Sequence, residues 1–338
     1  MFLTLARLTG RLWFRGLQFV QKIAGPRQRI RWPRRFRLFR DRFIRGLNLP
    51  WFDYGNDFGA NAWSPNGGVA QAKKRAKMQT VFRSLQEQNV QVVRWFLLAD
   101  GRAGIRYAED GTPIGLDDRI FADLDTAVEV AGEYGLQVIF VLLDFLWFGP
   151  AALKNGVQVR GRTHIVADRR KCRALLHRVL KPILKRYGRS PAIFAWDVMN
   201  EPEWATLGFG SHHPETDLPP WRMRRFLGKL VRLVHRHARQ PTTCGLANAG
   251  GLALVRSIGL DLYQVHWYDR FQESAPLERP AREWQINRPL LLGEFPTRNS
   301  ARSPDAILAQ ARQSGYCGAL AWSLLAEDNS SGLDNPQA

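Results

Sequence analysis

The sequence predicts an α/β protein, a single (β/α)8 TIM barrel preceded by a basic helical extension. Two observations point to it: from residue 43 onward short apolar runs alternate with longer amphipathic stretches, and the apolar runs number eight. Strands rich in Val, Ile and Leu, each followed by a helix, form a parallel sheet covered on both faces. The rival fold, an open doubly wound sheet, is disfavoured because no GxGxxG or GxxxxGKS phosphate motif occurs.

Each apolar run is short enough to be one barrel strand. The eight predicted strands are 43–51, 90–98, 136–145, 193–200, 242–248, 262–268, 289–295 and 318–325. The helices predicted between them are 69–89, 117–134, 168–187, 221–239, 249–259, 276–287 and 303–314. Since only 13 residues follow Leu325, the eighth helix is expected to be short or absent. The N-terminal segment either packs in its place or caps the bottom of the barrel.

The composition restricts the class of protein. The chain has 338 residues, with 45% hydrophobic and 23% charged residues, ordinary values for a globular protein with a large core. Its three cysteines, Cys172, Cys244 and Cys317, are far apart and form no CxxC pair. This spacing argues against a disulfide framework or a zinc cluster. We therefore expect neither a metal nor a cofactor.

The positive charge is concentrated near the N-terminus. The formal charge is +19, and residues 1–45 hold 13 Lys or Arg against the single acid Asp41. We therefore divide the chain into a basic amphipathic extension, residues 1–42, and a catalytic domain, residues 43–338. Arginines at positions 7, 11 and 15 interrupt the apolar residues of the extension, which is not typical of a cleavable signal peptide.

Two interpretations of the extension stay open. Residues 1–45 either contact an anionic membrane surface or pack as a helix against the barrel. No nucleic acid is expected as a partner, because no recognition motif accompanies the charge. A cytoplasmic or membrane-peripheral location is favoured over secretion, and the sequence leaves the oligomeric state open.

Polar and aromatic residues occur at the predicted C-terminal ends of the strands, where β/α barrels place their chemistry. They are Asn48 and Trp51, Arg94, Asp144, Asn200 and Glu201, Asn248, His266 and Tyr268, Glu294, and Trp322.

Two of these residues, Glu201 and Glu294, come from the fourth and seventh strands and should face each other across the barrel mouth. Cleavage of a glycosidic bond needs such a pair of carboxylates, and a separation of about 5–5.5 Å would give retention of configuration. Arg94 and Tyr268 should favour the ionised form of Glu294. A less well solvated Glu201, close to that negative charge, should keep its proton to higher pH.

The motifs around these residues resemble those of the clan A retaining β-glycosidases, most closely the family 5 cellulase and mannanase group. The likeness covers roughly residues 43–326 and consists of VVRWF with Arg94, WDVMNEP with Asn200 and Glu201, HWY (266–268), PLLLGEF with Glu294, and AWSLL with Trp322. It implies that Glu201 is the acid/base, Glu294 the nucleophile, and Asn200 a ligand of the sugar 2-hydroxyl. It also implies that His266 and Tyr268 tune the two glutamates and that Trp322 lies under the sugar. One departure is Asp144, at a place where the family often has His.

The twelve tryptophans are many for this length. Flat aromatic side chains can bury the C–H faces of sugar rings. We expect Trp51, Trp147, Trp204 and Trp267 to line a cleft, and Trp196 to pack between barrel and helices. The loops 61–68 and 203–221 are predicted to form the cleft walls.

The sequence thus predicts a retaining β-glycoside hydrolase. It would act on a β-linked polysaccharide or oligosaccharide of the glucan or mannan type, through a glycosyl-enzyme intermediate. A transglycosylase would use the same two glutamates. A carbohydrate-binding barrel of a membrane-associated polysaccharide synthesis or export system is the non-catalytic alternative, but it predicts the loss of one glutamate.

Overall fold

The computed structural model describes residues 42–272 and 275–333, with side chains at all of these except 275 and 276. Eight parallel strands close into a barrel in which each strand pairs with the next and the last pairs with the first. Every barrel strand coincides with a predicted apolar run, so the predicted (β/α)8 fold is confirmed. Numbered together with the short strands between them, the barrel strands are β1 (Ile44–Asn48), β2 (Val92–Phe96), β5 (Gln137–Val141), β8 (Ile193–Asn200), β9 (Thr242–Leu246), β10 (Tyr263–His266), β11 (Leu290–Pro296) and β12 (Gly318–Trp322).

Two antiparallel hairpins interrupt the barrel pattern and were not predicted. They are β3 (Ile105–Tyr107) with β4 (Pro113–Leu116), and β6 (Ala152–Lys154) with β7 (Val157–Val159). The second hairpin turns at Asn155 and Gly156, which both have positive φ. Asn-Gly is the usual pair for a two-residue hairpin turn, so a local signal for this hairpin was present in the sequence.

Helices follow the barrel strands. Except for Thr163–Ala167, which lies outside every predicted range, they fall at the predicted places, although those predicted at 249–259 and 276–287 are shorter than expected. They are α1 (Ala72–Glu87), α2 (Ile120–Glu133), α3 (Thr163–Ala167), α4 (Arg169–Ala174), α5 (Lys181–Tyr187), α6 (Pro220–His237), α7 (Leu252–Val255), α8 (Ala275–Glu278) and α9 (Pro304–Gln313). A π-helical stretch, Leu175–Leu180, joins α4 to α5. It ends two residues before Pro182, which has no N–H to donate and whose ring would clash with the preceding turn of a regular α-helix. Short 3₁₀ turns are at Phe145–Trp147, Pro202–Ala205, Ala249–Gly251 and Ala281–Trp284.

No helix follows β12 in the described residues 323–333. The predicted extension, residues 1–42, lies outside the described residues except for Arg42, and so does nearly all of the predicted membrane contact at 1–45. Among the described helices, none combines the length and the apolar character needed to cross a membrane.

The core has two layers. Inside the barrel, Ile44, Val92 and Ile139 belong to a small apolar cluster. A much larger cluster lies between strands and helices, where the rings of Trp95, Phe140 and Trp196 stack in succession. Trp196 therefore packs between barrel and helices as predicted. The apolar interior fills part of the barrel and leaves its C-terminal end to polar side chains.

Candidate active site

A cavity of about 730 Å³ opens at the C-terminal ends of the barrel strands. Arg94 and His266, both predicted site residues, are buried and contact residues that line it. The structure therefore brings most of the predicted residues together in one place. Those that line the cavity are Trp51, Asp144, Asn200, Glu201, Trp204, Asn248, Tyr268, Glu294 and Trp322.

Arg94, on β2, is the centre of a buried hydrogen-bond network. Its Nη1 donates to Glu294 Oε1 at 2.6 Å and to Asn48 Oδ1 at 3.0 Å. Its Nη2 donates to Asn200 Oδ1 at 2.7 Å, and its Nε to Asp197 Oδ2 at 3.0 Å. The guanidinium thus joins side chains from three other strands, β1, β8 and β11, and its two carboxylate partners compensate its buried charge.

Asp197, on β8, was not among the predicted site residues. It accepts hydrogen bonds from Arg94, from the Gln264 amide at 3.1 Å and from the Gly245 backbone at 3.0 Å. The signal was available, since Asp197 is an acid within the apolar run IFAWDVMN, and a buried acid needs a counter-charge. Gly245 is required at its position because a Cβ there would lie 2.5 Å from Arg94 Nη2.

Glu294 accepts one strong hydrogen bond on each carboxylate oxygen. Arg94 binds Oε1, and the Tyr268 hydroxyl donates to Oε2 at 2.7 Å. Burial raises the pKa of Glu294, and the Arg94 charge and the Tyr268 hydrogen bond offset only part of this increase. A cationic donor on one oxygen and a hydroxyl on the other favour the carboxylate form and fix its orientation.

Glu201 follows β8 and has a left-handed backbone conformation, with φ of 44°. Such a conformation is uncommon for a residue other than glycine and is often found at functional sites. Glu201 Oε2 accepts from the Trp204 indole at 2.9 Å, and Oε1 lies 2.8 Å from His266 Nδ1. Burial raises the pKa of Glu201 to about 7, against the opposing effects of the Trp204 hydrogen bond and the Arg94 charge.

The two glutamates differ in their partners rather than in their burial. The side chain of Glu201 is 16% exposed and that of Glu294 is 5% exposed, so the expectation that Glu201 is the less solvated one is wrong. Burial lowers the pKa of His266 to about 4, so near neutral pH this imidazole is an uncharged partner of Glu201. Glu294, in contrast, contacts a permanent cation. These partners favour the ionised form of Glu294 more than that of Glu201.

His266 Nδ1 lies between the two carboxylates, 2.8 Å from Glu201 and 3.4 Å from Glu294. Glu201, His266 and Glu294 each present one ligand atom, and these atoms lie within 4.8 Å of one another. A cation could use this geometry, but Arg94 already contacts Glu294, and its positive charge would oppose a metal ion at the same carboxylate. The trio is better suited to proton transfer.

Asn200 and Asp144 form a second pair at the cavity. Asn200 Nδ2 donates to Asp144 Oδ2 at 2.9 Å, and the amide oxygen accepts from Arg94. Asp144 Oδ1 accepts from the Leu146 backbone at 2.7 Å. Burial raises the pKa of Asp144 to about 8. The residue that departs from the family pattern therefore holds the Asn200 amide in place.

The aromatic predictions were right for some tryptophans and wrong for others. Trp51, Trp204 and Trp322 line the cavity, and the Trp322 indole donates to Asp328 Oδ2 at 2.8 Å. Trp147 and Trp267 do not line it, because both are buried in the large core cluster. The Trp147 side chain points into this core cluster, where its indole N–H donates to the Leu98 carbonyl at 3.2 Å.

The walls of the cavity combine predicted and unpredicted segments. The 203–221 segment contributes Trp204 and His212, whose rings lie 4.8 Å apart. The loop 61–68 contributes no lining residue; its Trp63 packs on Arg102 instead. The remaining lining residues were not predicted. They are Phe96, the last residue of β2, and residues of segments that follow strands and carry no recognisable motif: Tyr54, Ala99, Phe145, Leu146, Ala247, Arg270, Phe271, Gln272, Asp328, Asn329 and Ser330.

Comparison with known proteins agrees with this geometry, although no family model matches the chain. A mannan endo-1,4-β-mannosidase of Mytilus edulis is 22% identical over 320 residues, which is 83% of this chain and 83% of that protein. One of Cryptopygus antarcticus is 22% identical over 322 residues, 83% of this chain and 80% of that protein. The solved structure of the endo-1,4-β-mannanase of Eisenia fetida matches with a TM-score of 0.72 at 22% identity, over 85% of this chain and 87% of that one.

These similarities extend over most of the chain. The chain is thus similar to mannan endo-1,4-β-mannosidases, and its predicted resemblance to the family 5 glycoside hydrolases of clan A is confirmed.

Proposed function

We propose that this chain is a retaining β-glycosidase that hydrolyses internal β-1,4 linkages of a mannan. One observation carries the proposal: an oxygen of Glu201 and an oxygen of Glu294 lie within 4.8 Å of each other at the mouth of the barrel. Retaining enzymes hold their carboxyl groups about 5–5.5 Å apart, whereas inverting enzymes leave about 6.5–9.5 Å for a water molecule. The shorter spacing supports direct attack by one carboxylate.

In the first step, Glu294 is the nucleophile. Its carboxylate attacks the anomeric carbon while the bond from that carbon to the leaving oxygen breaks, and Glu201 donates its proton to the oxygen. A Glu201 pKa of about 7 supports this role, since the residue then carries a proton in weakly acidic solution. Arg94 and Tyr268 support the role of Glu294, because they bind its ionised form in one orientation.

In the second step, Glu201 takes a proton from water, the water oxygen attacks the anomeric carbon, and Glu294 leaves as a carboxylate. His266 contacts Glu201 and lies near Glu294, and we assign to it the positioning of both. Asn200 lines the cavity beside Glu201 and would bind the sugar 2-hydroxyl, with Asp144 holding its amide. Two displacements at one carbon give net retention.

The shape of the cavity supports a polymeric substrate. The rings of Trp51, Trp204 and Trp322 line the cavity together with the two glutamates. Rings of this kind bury the apolar faces of successive sugars. The names of the related proteins specify mannan and internal cleavage, and we adopt this substrate class for the present chain.

Product analysis by mass spectrometry tests the proposal. The protein is incubated with mannan, glucomannan, β-glucan and xylan, beside the variants Glu201→Gln and Glu294→Gln, and NMR follows the anomeric configuration of the first product. We expect short β-1,4-mannooligosaccharides, released first as the β-anomer, and no release by either variant. Release of the α-anomer, or cleavage that survives Glu294→Gln, would contradict the retaining mechanism.

A further inference from the structure

Two adjacent helical segments on the side of the barrel contain no acidic residue. The segment 169–187, which comprises α4, the π-helical stretch and α5, has eight Lys or Arg, and α6 has six. Of the residues from 46 to 338, 36 are Lys or Arg and 29 are Asp or Glu. In the rest of residues 46–338, outside these two segments, acidic residues outnumber basic ones. The positive charge of the domain is therefore concentrated on one face, which we call the basic face (residues 169–187 and 220–237).

A groove of about 320 Å³ runs between the two segments of the basic face. Arg169, Arg173 and His177 are spaced one helical turn apart along one wall, where all three are exposed. The opposite wall is also basic and consists of Lys229, Arg232 and Arg236. Leu176 and Leu233 lie between the two walls.

The groove arginines have no acidic partner in the part of the chain that the structure describes. None of the ion pairs found there includes Arg169, Arg173, Arg232 or Arg236. The local field is positive: besides burial, Lys181 and Arg236 lower the pKa of the neighbouring His237. Uncompensated like charges repel each other, so an anionic partner that enters the groove would relieve this repulsion.

The dimensions of the basic face favour an extended anionic surface over a small anion. The 18 residues of α6 span about 27 Å, and cationic side chains occur along its whole length. Trp221, at the start of α6, is 47% exposed and stacks with Arg222 at 5.1 Å. An exposed tryptophan next to basic residues is typical of proteins that bind at the interface of a membrane.

We propose that the basic face docks on the phosphate headgroups of an anionic lipid bilayer. The face lies on the flank of the barrel, whereas the active-site cavity opens at the strand ends, so a docked barrel would keep its cavity accessible to a polymer. This contact differs from the one predicted for residues 1–45, and the two would reinforce each other by multivalency. Each basic side chain near an anionic surface contributes roughly a fivefold gain in binding.

Co-sedimentation of the full chain with vesicles tests this proposal. Phosphatidylcholine vesicles with and without phosphatidylglycerol are compared for the unchanged protein and for the combined variant Arg173→Gln, Arg232→Gln, Arg236→Gln. A matched control, Lys73→Gln, Arg282→Gln, Arg312→Gln, removes the same charge from exposed positions in or next to α1, α8 and α9, across the barrel. Circular dichroism verifies that all three proteins are folded.

We expect the unchanged protein to bind only the anionic vesicles, the basic-face variant to bind at least about tenfold more weakly, and the control to bind like the unchanged protein. Equal binding by the two variants would overturn the proposal. Titrations with inorganic phosphate and with duplex DNA separate the other sources of phosphate. Binding to either of these through the basic face, without binding to anionic vesicles, would also overturn it.

Discussion

The indole N–H of Trp204 donates a hydrogen bond of 2.9 Å to Oε2 of Glu201, a residue three positions earlier in the chain. The 3₁₀ turn Pro202–Ala205 brings the two side chains together directly after the left-handed Glu201. This bond stabilises the ionised carboxylate and thus lowers the pKa of Glu201. The hydrogen bond therefore offsets part of the increase in the pKa of Glu201 that burial causes.

Replacing Trp204 by Phe should therefore raise the pKa of Glu201. Activity on mannan should decline at high pH where Glu201 loses its proton, near pH 7 in the unchanged protein. In Trp204→Phe this alkaline limb should shift upward, because the ionised form has lost a donor. The pH profile of kcat/KM measures the shift. Trp51→Phe, at another cavity residue, is the control; an equal shift in both would mean that the indole bond is irrelevant to Glu201.

The loss of activity at low pH, on the acidic limb of the pH profile, should depend on Tyr268. Its hydroxyl donates to Glu294 Oε2 and lowers the pKa of that carboxyl. Tyr268→Phe removes the donor, so the pKa of Glu294 should rise, and activity should be lost at a higher pH on the acidic side. The same pH profile, with Tyr54→Phe as the matched cavity variant, provides the measurement. A lower kcat with an unmoved acidic limb would argue against this role.

Arg94 should be essential for stability as well as for the site. Arg94→Met would leave Asp197 and Glu294 buried without their cation, a loss of about 3–5 kcal/mol in the free energy of unfolding. Arg75, which pairs with Glu129 at the surface, offers a comparison, and Arg75→Met should cost less than about 1 kcal/mol. Denaturant unfolding of the two variants tests this difference, and similar losses would show that the buried network contributes little.

Substitution of Trp147 should mainly reduce stability, whereas substitution of Trp51 should mainly weaken substrate binding. Trp147 is fully buried, so Trp147→Ala should lower the free energy of unfolding by about 3–5 kcal/mol. Trp51 lines the cavity, so Trp51→Ala should raise KM for mannan with a smaller effect on stability. Thermal unfolding and steady-state kinetics of both variants separate the two roles. If Trp147→Ala were stable and impaired only in substrate binding, its assignment to the core would be wrong.

The amino-acid sequence alone was sufficient for the barrel and for its two central glutamates. Runs such as IFAWDVMN and PLLLGEF are apolar over the length of one strand, and this local pattern decides which segments are buried together. Because parallel strands end at the same rim of a barrel, the positions of Glu201 and Glu294 at two strand ends were enough to place them near each other.

Only the tertiary structure decided which way each side chain near the rim points. Trp147 and Trp51 both follow a strand, yet one packs in the core and the other faces the cavity. The partners of Arg94 lie 46 to 200 positions away in the chain, and the basic face forms because two helices separated by a strand pack side by side. Such contacts depend on the closure of the barrel and on the packing of its helices, and local sequence patterns do not encode them.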